Sequence, residues 1–394
     1  MAGRKKNARR RRKRKLIVFV VEIAILAVVV TGFCFYNKLD LINRQELDQT
    51  KIAAGDISQE TEAVFSGYTT IAIFGLDNRE TGVYTAGNSD MIMIMNINND
   101  TKEMSLVSLY RDTYLNVASA ESDELVFRKC NSAYARGGPE QAITMLNRNL
   151  DLEIDHYVSV DFQAVAEAID ILGGVDITIE SEEELHWLND YIQANNGILG
   201  EDADLIDSVG EHTLDGVQAV AYARIRYTAG NDFKRAERQR RVFSEMMSKA
   251  KDASLSQVNE LIEAVFPDIQ TDPGLSMKEI LTMAKVMLDY DMANSGGFPY
   301  DRTTETLDGA GSVVIPCSLE SNVIELHRQM FGTVDYQPSE LVQEYSDYII
   351  NRTGMTEEDA ETDQFSDADD FTGSGAEASS TDTPSDTSSE EDGE

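Results

Sequence analysis

The chain has 394 residues, 42% of them hydrophobic, and carries 34 basic against 70 acidic side chains for a net charge of −36. Its length and apolar content allow a sizeable core and exclude a wholly disordered chain. The acidity argues against nucleic acid as a partner, and three cysteines are too few for a disulfide scaffold.

The first fifteen residues (1–15) run against this balance, with ten Lys or Arg between Arg4 and Lys15. Residues 16–36, LIVFVVEIAILAVVVTGFCFY, then form an apolar run, which at about 1.5 Å per residue crosses a hydrocarbon core of about 30 Å. This predicts one transmembrane helix. The basic cluster before it predicts a cytoplasmic N-terminus that touches anionic membrane lipid, and an extracellular body beyond residue 37. A cleaved signal peptide is the competing reading; the length of the run and the lack of a small-residue cleavage site after Cys34 stand against it. Ten basic residues precede the span and Glu22 is the one acid before residue 37, which leaves 24 basic and 69 acidic side chains beyond.

Residues 37–67 are polar and aperiodic, a stalk that holds the body off the bilayer. From Tyr68 short β-rich runs follow: TIAIFG at 70–75, MIMIMNI at 91–97 and MSLVSL at 104–109. Asn98, Asn99, Asp100 and Thr101 supply turn chemistry, so the last two runs read as a hairpin. The apolar spacing over 139–150 predicts a helix that starts at Pro139. YVSVDF reads as a strand, FQAVAEAIDIL at 162–172 as a helix stopped by Gly173 and Gly174, and VDITI as a further strand. Residues 181–209 read as a polar insertion around Trp187, with the character of a mobile flap. A strand over 218–227, helices over 233–251 and 277–290, and a strand at 312–316 complete the body.

Strands and helices alternate, so the expected fold class is α/β: a mixed central sheet flanked by helices in α/β/α layers. The body spans 68–335, and 336–394 form a C-terminal extension. No basic residue follows Arg352, and the extension ends in Ser, Thr, Asp, Glu and Gly, a disordered acidic tail. Cys130 and Cys317 are the two thiols outside the span, read as isolated buried groups rather than a bridge.

Three groups of charged residues fall at strand ends or on one helix face, where sheet-based folds place their ligands. GLDNR puts Asp77 and Arg79 after the first strand, and Asp90 stands before the next, so two carboxylates can meet at one sheet edge. Such oxygen donors plus phosphate oxygens are how proteins hold Mg²⁺. SLYRD brings Arg111 to the end of the paired strand. On the expected strand Arg224 and Arg226 share a face, as Arg235, Arg238 and Gln239 do on the following helix. Guanidinium groups converging in an acidic protein call for a polyanion, and a pyrophosphate fits their forked geometry. The bland reading, arginines paired with acids on a solvated face, holds better for a single arginine than for a set. The four histidines show no ligand spacing for zinc, and GxSxG and GxxxxGK[ST] motifs are absent.

The motifs resemble the LytR-CpsA-Psr family of bacterial envelope proteins, in order along about residues 68–331. They are GLDNR, SD at 89–90, SLYRDTYL where the family usually has Ser-Ile-Pro-Arg-Asp, RKCNSAYARGG, LGGVDI, LDGVQAVAYARIR and DFKRAERQR. The resemblance implies a transferase of cell wall biogenesis. It would move a glycopolymer such as a teichoic acid or capsule chain from a polyprenyl-pyrophosphate carrier to a peptidoglycan hydroxyl, with Mg²⁺ or alternatively Mn²⁺. By the same resemblance Asp77 and Asp90 hold the metal and serve catalysis with Arg111. Arg79, Lys129, Arg224, Arg226, Arg235, Arg238 and Gln239 bind the pyrophosphate, and a long apolar tunnel takes the prenyl chain. Tyr110 departs from the family's proline. Two other readings stay open: a non-catalytic binding or regulatory protein for the same ligand, and a polyprenyl-pyrophosphate hydrolase.

Overall fold

The computed structural model describes residues 43–76, 87–154, 156–199, 202–227, 231–272 and 292–361. The basic arm, the apolar run at 16–36, Asp77, Arg79, the helix expected over 277–290 and the acidic tail beyond 361 lie outside the described residues. Among the described residues no helix is long and apolar enough to cross a membrane.

Described elements before the hairpin are β1 (Asn43–Arg44), α1 (Gln59–Phe65) and β2 (Tyr68–Leu76). The hairpin expected from the turn residues is present as β3 (Ser89–Asn98) and β4 (Met104–Leu109), and Asn98 accepts from the backbone of Asp100 and Thr101 in its turn. Next come the short β5 (Tyr114–Asn116) and β6 (Phe127–Lys129), then α2 (Ser132–Leu150). The helix expected from Pro139 is the second half of α2, which kinks at Gly137 and Gly138 just ahead of that proline. Next are β7 (His156–Asp161), α3 (Phe162–Leu172) and β8 (Val175–Ile179). Asp161 caps α3 by accepting from the Ala164 amide, and Gly173 ends it at φ 90°.

Residues 181–209, read as a polar insertion, are mostly helix: α4 (Glu182–Leu199) starts at Ser181, whose hydroxyl accepts from the Glu184 amide. One expectation is corrected here. No strand covers 218–227: after β9 (Gly210–Leu214) the chain enters α5 (Gly216–Arg224) through a capping box of Asp215 and Gln218. Alternation in AVAYAR suggests a strand, but the cap and the burial of α5 on nearly every side decide for a helix. The remaining elements are α6 (Asn231–Lys251), α7 (Leu255–Ala264), β10 (Ile269–Thr271), β11 (Met292–Phe298), β12 (Arg302–Leu307), β13 (Gly311–Pro316), α8 (Leu319–Phe331) and α9 (Glu340–Thr353).

The central sheet is mixed, as expected, in the order β1-β10-β7-β2-β3-β4-β11. Alternate residues of its strands serve opposite layers. Ala72, Phe74, Leu76, Ile92 and Ile94 pack with α2, α8 and α9. Ile71, Ile73, Met93, Met95 and Leu106 face Phe243 and Met247 of α6. A second core joins β8, β9, α4 and α5. Cys130 and Cys317 are free and buried, and burial pushes both thiols up.

Two contacts fix helix positions. At Gly216 a Cβ would sit 2.1 Å from the Ala166 carbonyl oxygen, so α5 and α3 touch backbone to backbone. Near the end of α2, His327 Nε2 lies 2.9 Å from the Leu150 carbonyl and its ring stacks on Tyr336 at 3.7 Å between centroids. The Asp151 carboxylate, next in the chain, accepts from the Ser339 amide (2.7 Å), the Ser339 hydroxyl (2.6 Å) and the Tyr336 hydroxyl (3.0 Å).

Gly216→Ala should destabilise the chain by about 3 kcal/mol through forced separation of α3 and α5, read from the midpoint of chemical denaturation. Burial depresses His327 from 6.5 to about 4. Between those values the unfolded chain binds a proton that the folded chain refuses, so this contribution is whole above pH 6.5 and lost as pH falls toward 4. Replacing His327 by Gln should flatten the acid limb of a stability-pH profile by roughly 3 kcal/mol; parallel profiles would refute it.

Candidate functional site

The ends of β2, β4 and β7 and the start of β3 meet at one edge of the sheet, as their relative directions require. At that edge Gly75 faces Met91 while Leu76 faces Ser89, so Asp90 is the extra residue of a β-bulge. A bulge re-aims a side chain that regular pleating would commit to one face. Asp90 is thereby set among arginines from three separate segments.

Arg111 follows β4 and donates from Nη1 to Asp90 Oδ1 at 2.9 Å. Arg226, two residues past α5, donates to Asp90 Oδ2 at 3.3 Å. Arg235, in the second turn of α6, donates to the Asp90 backbone carbonyl at 3.2 Å. Asp232 lies between, 3.5 Å from Arg111 Nε and 3.4 Å from Arg235 Nη1. Burial, then the nearby Arg111 and Arg226 charges, push Arg235 down to about 10 against the pull of Asp232 and Asp90. Asp112 also faces Arg111 Nε, at 3.7 Å, and pairs with Lys129, so among the described residues four cations meet three carboxylates.

Four buried polar atoms of this cluster have no hydrogen-bond partner among the described residues: Ser89 Oγ, Arg111 Nε, Asp232 Oδ1 and Arg235 Nε. Each such atom costs on the order of 1–3 kcal/mol. Arg111 Nε and Asp232 Oδ1 face each other at 3.5 Å, too long for a hydrogen bond, so an anion that accepted from Arg111 Nε and Arg235 Nε would complete the guanidinium donors. Ser89, next to Asp90 in the chain, carries a buried hydroxyl oxygen of the kind a hard cation accepts. Among the described residues no group of three acidic, His or Cys side chains forms a metal cage; Mg²⁺ commonly needs only one or two carboxylates besides substrate phosphate.

The other sequence-predicted residues sit around this centre. Lys129, on β6, pairs with Asp112 at 2.9 Å. Arg224, the last residue of α5, donates to Asn195 Oδ1 at 2.6 Å and lies over the Phe162 ring at 5.0 Å, so it does not share a face with Arg226. Arg238 is bound to Glu184 at 2.7 Å and lies over the Tyr222 ring at 5.7 Å. Gln239 lines an apolar pocket of about 530 Å³, open mouth included, together with Gly75, Met91, Phe162, Val242 and Met246. Asp77 and Arg79 fall outside the described residues.

Sequence reasoning missed Asp232, although an acid three residues before Arg235 on one helix is a readable signal. It also missed the support behind Arg111. Tyr110 packs edge-on against Phe233 at 4.7 Å, and the Arg302 guanidinium lies 4.8 Å and 4.3 Å from those two rings. The Cys130 thiol donates to the Tyr110 and Arg111 carbonyls, both at 3.2 Å. No pattern in the sequence points to these long-range contacts.

Comparison with known proteins finds relatives over most of the chain. The model of the LytR_cpsA_psr family matches residues 30–315. Polyisoprenyl-teichoic acid–peptidoglycan teichoic acid transferase TagU of Enterococcus faecalis is 30% identical over 285 residues, 71% of this chain and 83% of that protein. Biofilm regulatory protein A of Streptococcus mutans is 26% identical over 276 residues, 68% of this chain and 65% of its own. The crystal structure of protein gbs0355 from Streptococcus agalactiae shares the fold at a TM-score of 0.57 and 24% identity, covering 73% of this chain and 93% of that one.

Asp90→Asn removes the charge that holds Arg111 and Arg226 together and should cost roughly 3 kcal/mol of stability. Added sodium pyrophosphate should restore part of the loss by binding the folded chain. Denaturation midpoints with and without pyrophosphate test this; an unshifted midpoint in the variant would show that Asp90 does not hold the guanidinium groups.

Proposed function

This chain belongs to the LytR_cpsA_psr family, and from that premise we propose that it is a glycopolymer phosphotransferase of cell wall assembly. Its substrates are a glycopolymer on a polyprenyl-pyrophosphate carrier and a hydroxyl of peptidoglycan. The observation that carries the reading is a two-part site: Arg111, Arg226 and Arg235 gathered on Asp90, close to an apolar pocket that Gln239 borders. An amphiphile with a doubly phosphorylated head and a hydrocarbon tail matches both parts. TagU of Enterococcus faecalis bears the name of such a transferase.

In this reading the acceptor hydroxyl oxygen attacks the sugar-bearing phosphorus. A phosphodiester bond forms, the bridging P–O bond breaks, and polyprenyl phosphate leaves with the bonding electrons. The hydroxyl proton passes to a carboxylate, Asp90 of the cluster or the Asp77 that the family resemblance implies, and then to solvent. Arg111, Arg226 and Arg235 bind the two phosphates and offset the charge on their oxygens in the transition state, which is the main demand of phosphoryl transfer. Asp232 orients Arg111 and Arg235. Asp90 with the Ser89 hydroxyl and Asp77 would hold Mg²⁺ or Mn²⁺, which when bound supplies further neutralisation of phosphate charge. Arg224 and Arg238, engaged by Asn195 and Glu184, serve by fixing α4 and α5 behind the site.

Residues 1–15 and 16–36 support a cell-membrane setting: one span, a cytoplasmic basic arm against anionic lipid, and an extracellular body. There the prenyl tail of the donor can pass from the bilayer to the apolar pocket.

The test is a transfer assay on the full chain in detergent, with a polyprenyl-pyrophosphate saccharide, peptidoglycan acceptor and Mg²⁺. Polyprenyl phosphate release and saccharide attachment are counted together. Both should occur, and Arg111→Ala or Arg226→Ala should each lower the rate about 10²-fold or more. Release without attachment would make the protein a hydrolase. Donor retention without release would make it a binding or regulatory protein.

A further inference from the structure

A pair of aromatic rings borders the arginine cluster. Trp187, the one tryptophan of the chain, stands on α4, and Tyr227 follows Arg226 directly; their ring centroids are 4.7 Å apart, the planes inclined at 40°. Tyr227 is 61% exposed, the only aromatic among the large exposed hydrophobics of the described residues. Trp187 is half-buried, packed on the smaller core. Tyr191, one turn further along α4, lies within electrostatic reach of Arg226, Arg224 and Arg235. Neither Trp187 nor Tyr227 lines the apolar pocket.

We propose that Trp187 and Tyr227 form a stacking subsite for an uncharged pyranose ring of the glycan that enters this site. The inference rests on the phosphotransferase reading above and adds which part of the substrate these rings take. A pyranose presents an apolar C–H face and a rim of hydroxyls. Aromatic rings with a polar handle suit such a half-apolar partner, and exposed Trp and Tyr side chains mark recognition surfaces.

Position and charge favour a sugar over other occupants. The first sugar of the donor is joined to phosphorus through one oxygen, so it must rest against whatever borders the arginines. Tyr227 is covalently next to Arg226, which reaches Asp90. The helix face around Trp187 is acidic: Glu183 and Asp190, four residues before it and three after, are exposed on α4, and His186 pairs with Asp190 at 3.9 Å. Carboxylates repel an anionic lipid headgroup or a polyphosphate chain, yet accept hydrogen bonds from sugar hydroxyls. A neutral ring is the occupant that this face tolerates.

Because Trp187 is the single tryptophan, its emission reports on the pair alone. The full chain in phosphatidylcholine nanodiscs is titrated with three probes: farnesyl pyrophosphate, farnesyl-pyrophosphoryl-N-acetylglucosamine, and the soluble disaccharide-pentapeptide of peptidoglycan. Retention of radiolabelled farnesyl probes is measured in parallel. The sugar-bearing farnesyl probe should change Trp187 emission saturably while the sugarless one does not. Tyr227→Ala should raise its half-saturation about fivefold and leave retention of farnesyl pyrophosphate unchanged.

A response to the disaccharide-pentapeptide alone also supports the subsite and assigns it to the acceptor strand instead of the donor. Equal responses to both farnesyl probes would mean that the prenyl chain covers the rings, which overturns the proposal. So would an emission change on moving to phosphatidylglycerol nanodiscs before any probe is added, since the rings would then face the membrane. Silence of Trp187 while the sugar-bearing probe is retained overturns the subsite and leaves the arginine clamp standing. If neither farnesyl probe is retained, the phosphotransferase reading fails, and the disaccharide-pentapeptide decides the subsite: a response keeps it, silence overturns it.

Discussion

One carboxylate between guanidinium groups is the interaction on which the rest depends. Arg111, Arg226 and Arg235 come from the end of a strand, the exit of a helix and the second turn of another. Without a negative centre their mutual repulsion would keep those segments apart. Asp90 can be that centre because the bulge between β2 and β3 frees it from regular pairing at the sheet edge. Its backbone carbonyl takes Arg235, so the strand itself, and not only the side chain, anchors α6.

The surrounding architecture divides its work between polar and apolar parts. The arginines, Asp232 and the Lys129–Asp112 pair form the polar part. Next to it, α3, α5 and α6 leave an apolar opening beside Gly75, where a Cβ would sit 2.8 Å from that of Met91. The backbone contact of Gly216 with Ala166 holds α5 on α3 and so sets the shape of this opening and the direction in which Arg226 leaves the helix. Tyr110, Phe233 and Arg302 brace the opposite flank, where proline would have given stiffness through the backbone instead.

What was legible in the sequence was what local chemistry decides. The hairpin of β3 and β4 follows from alternation and from Asn98 in its turn, and α3 follows from its period and from Gly173 at its end. Residues 181–209 and 218–227 hold helices that the apolar pattern does not show, although Ser181 with Glu184 and Asp215 with Gln218 carry helix-start signatures. In the second case the alternating small and large residues of AVAYAR suit a strand, and burial within the small core overrides them. Arg238 shares a helix face with Arg235, but its partner Glu184 is 54 residues away in the chain and cannot be inferred from spacing. The bulge at Asp90 likewise depends on the register of two paired strands.

The junction around Asp151 has a consequence for where this body can be cut. Helix α9 lies beyond residue 335, yet Val342, Tyr345 and Ile349 are buried in the same core as Phe74 and Leu146, and Ser339 closes the hydrogen bonds of Asp151. A protease acting between Phe331 and Ser339 would strip a buried carboxylate of its partners and open the layer behind the sheet. Cleavage beyond Thr353, where Gly354 ends α9 at φ 74°, spares those contacts. Shedding of the acidic tail and loss of the folded body are thus separated by only a few turns of one helix.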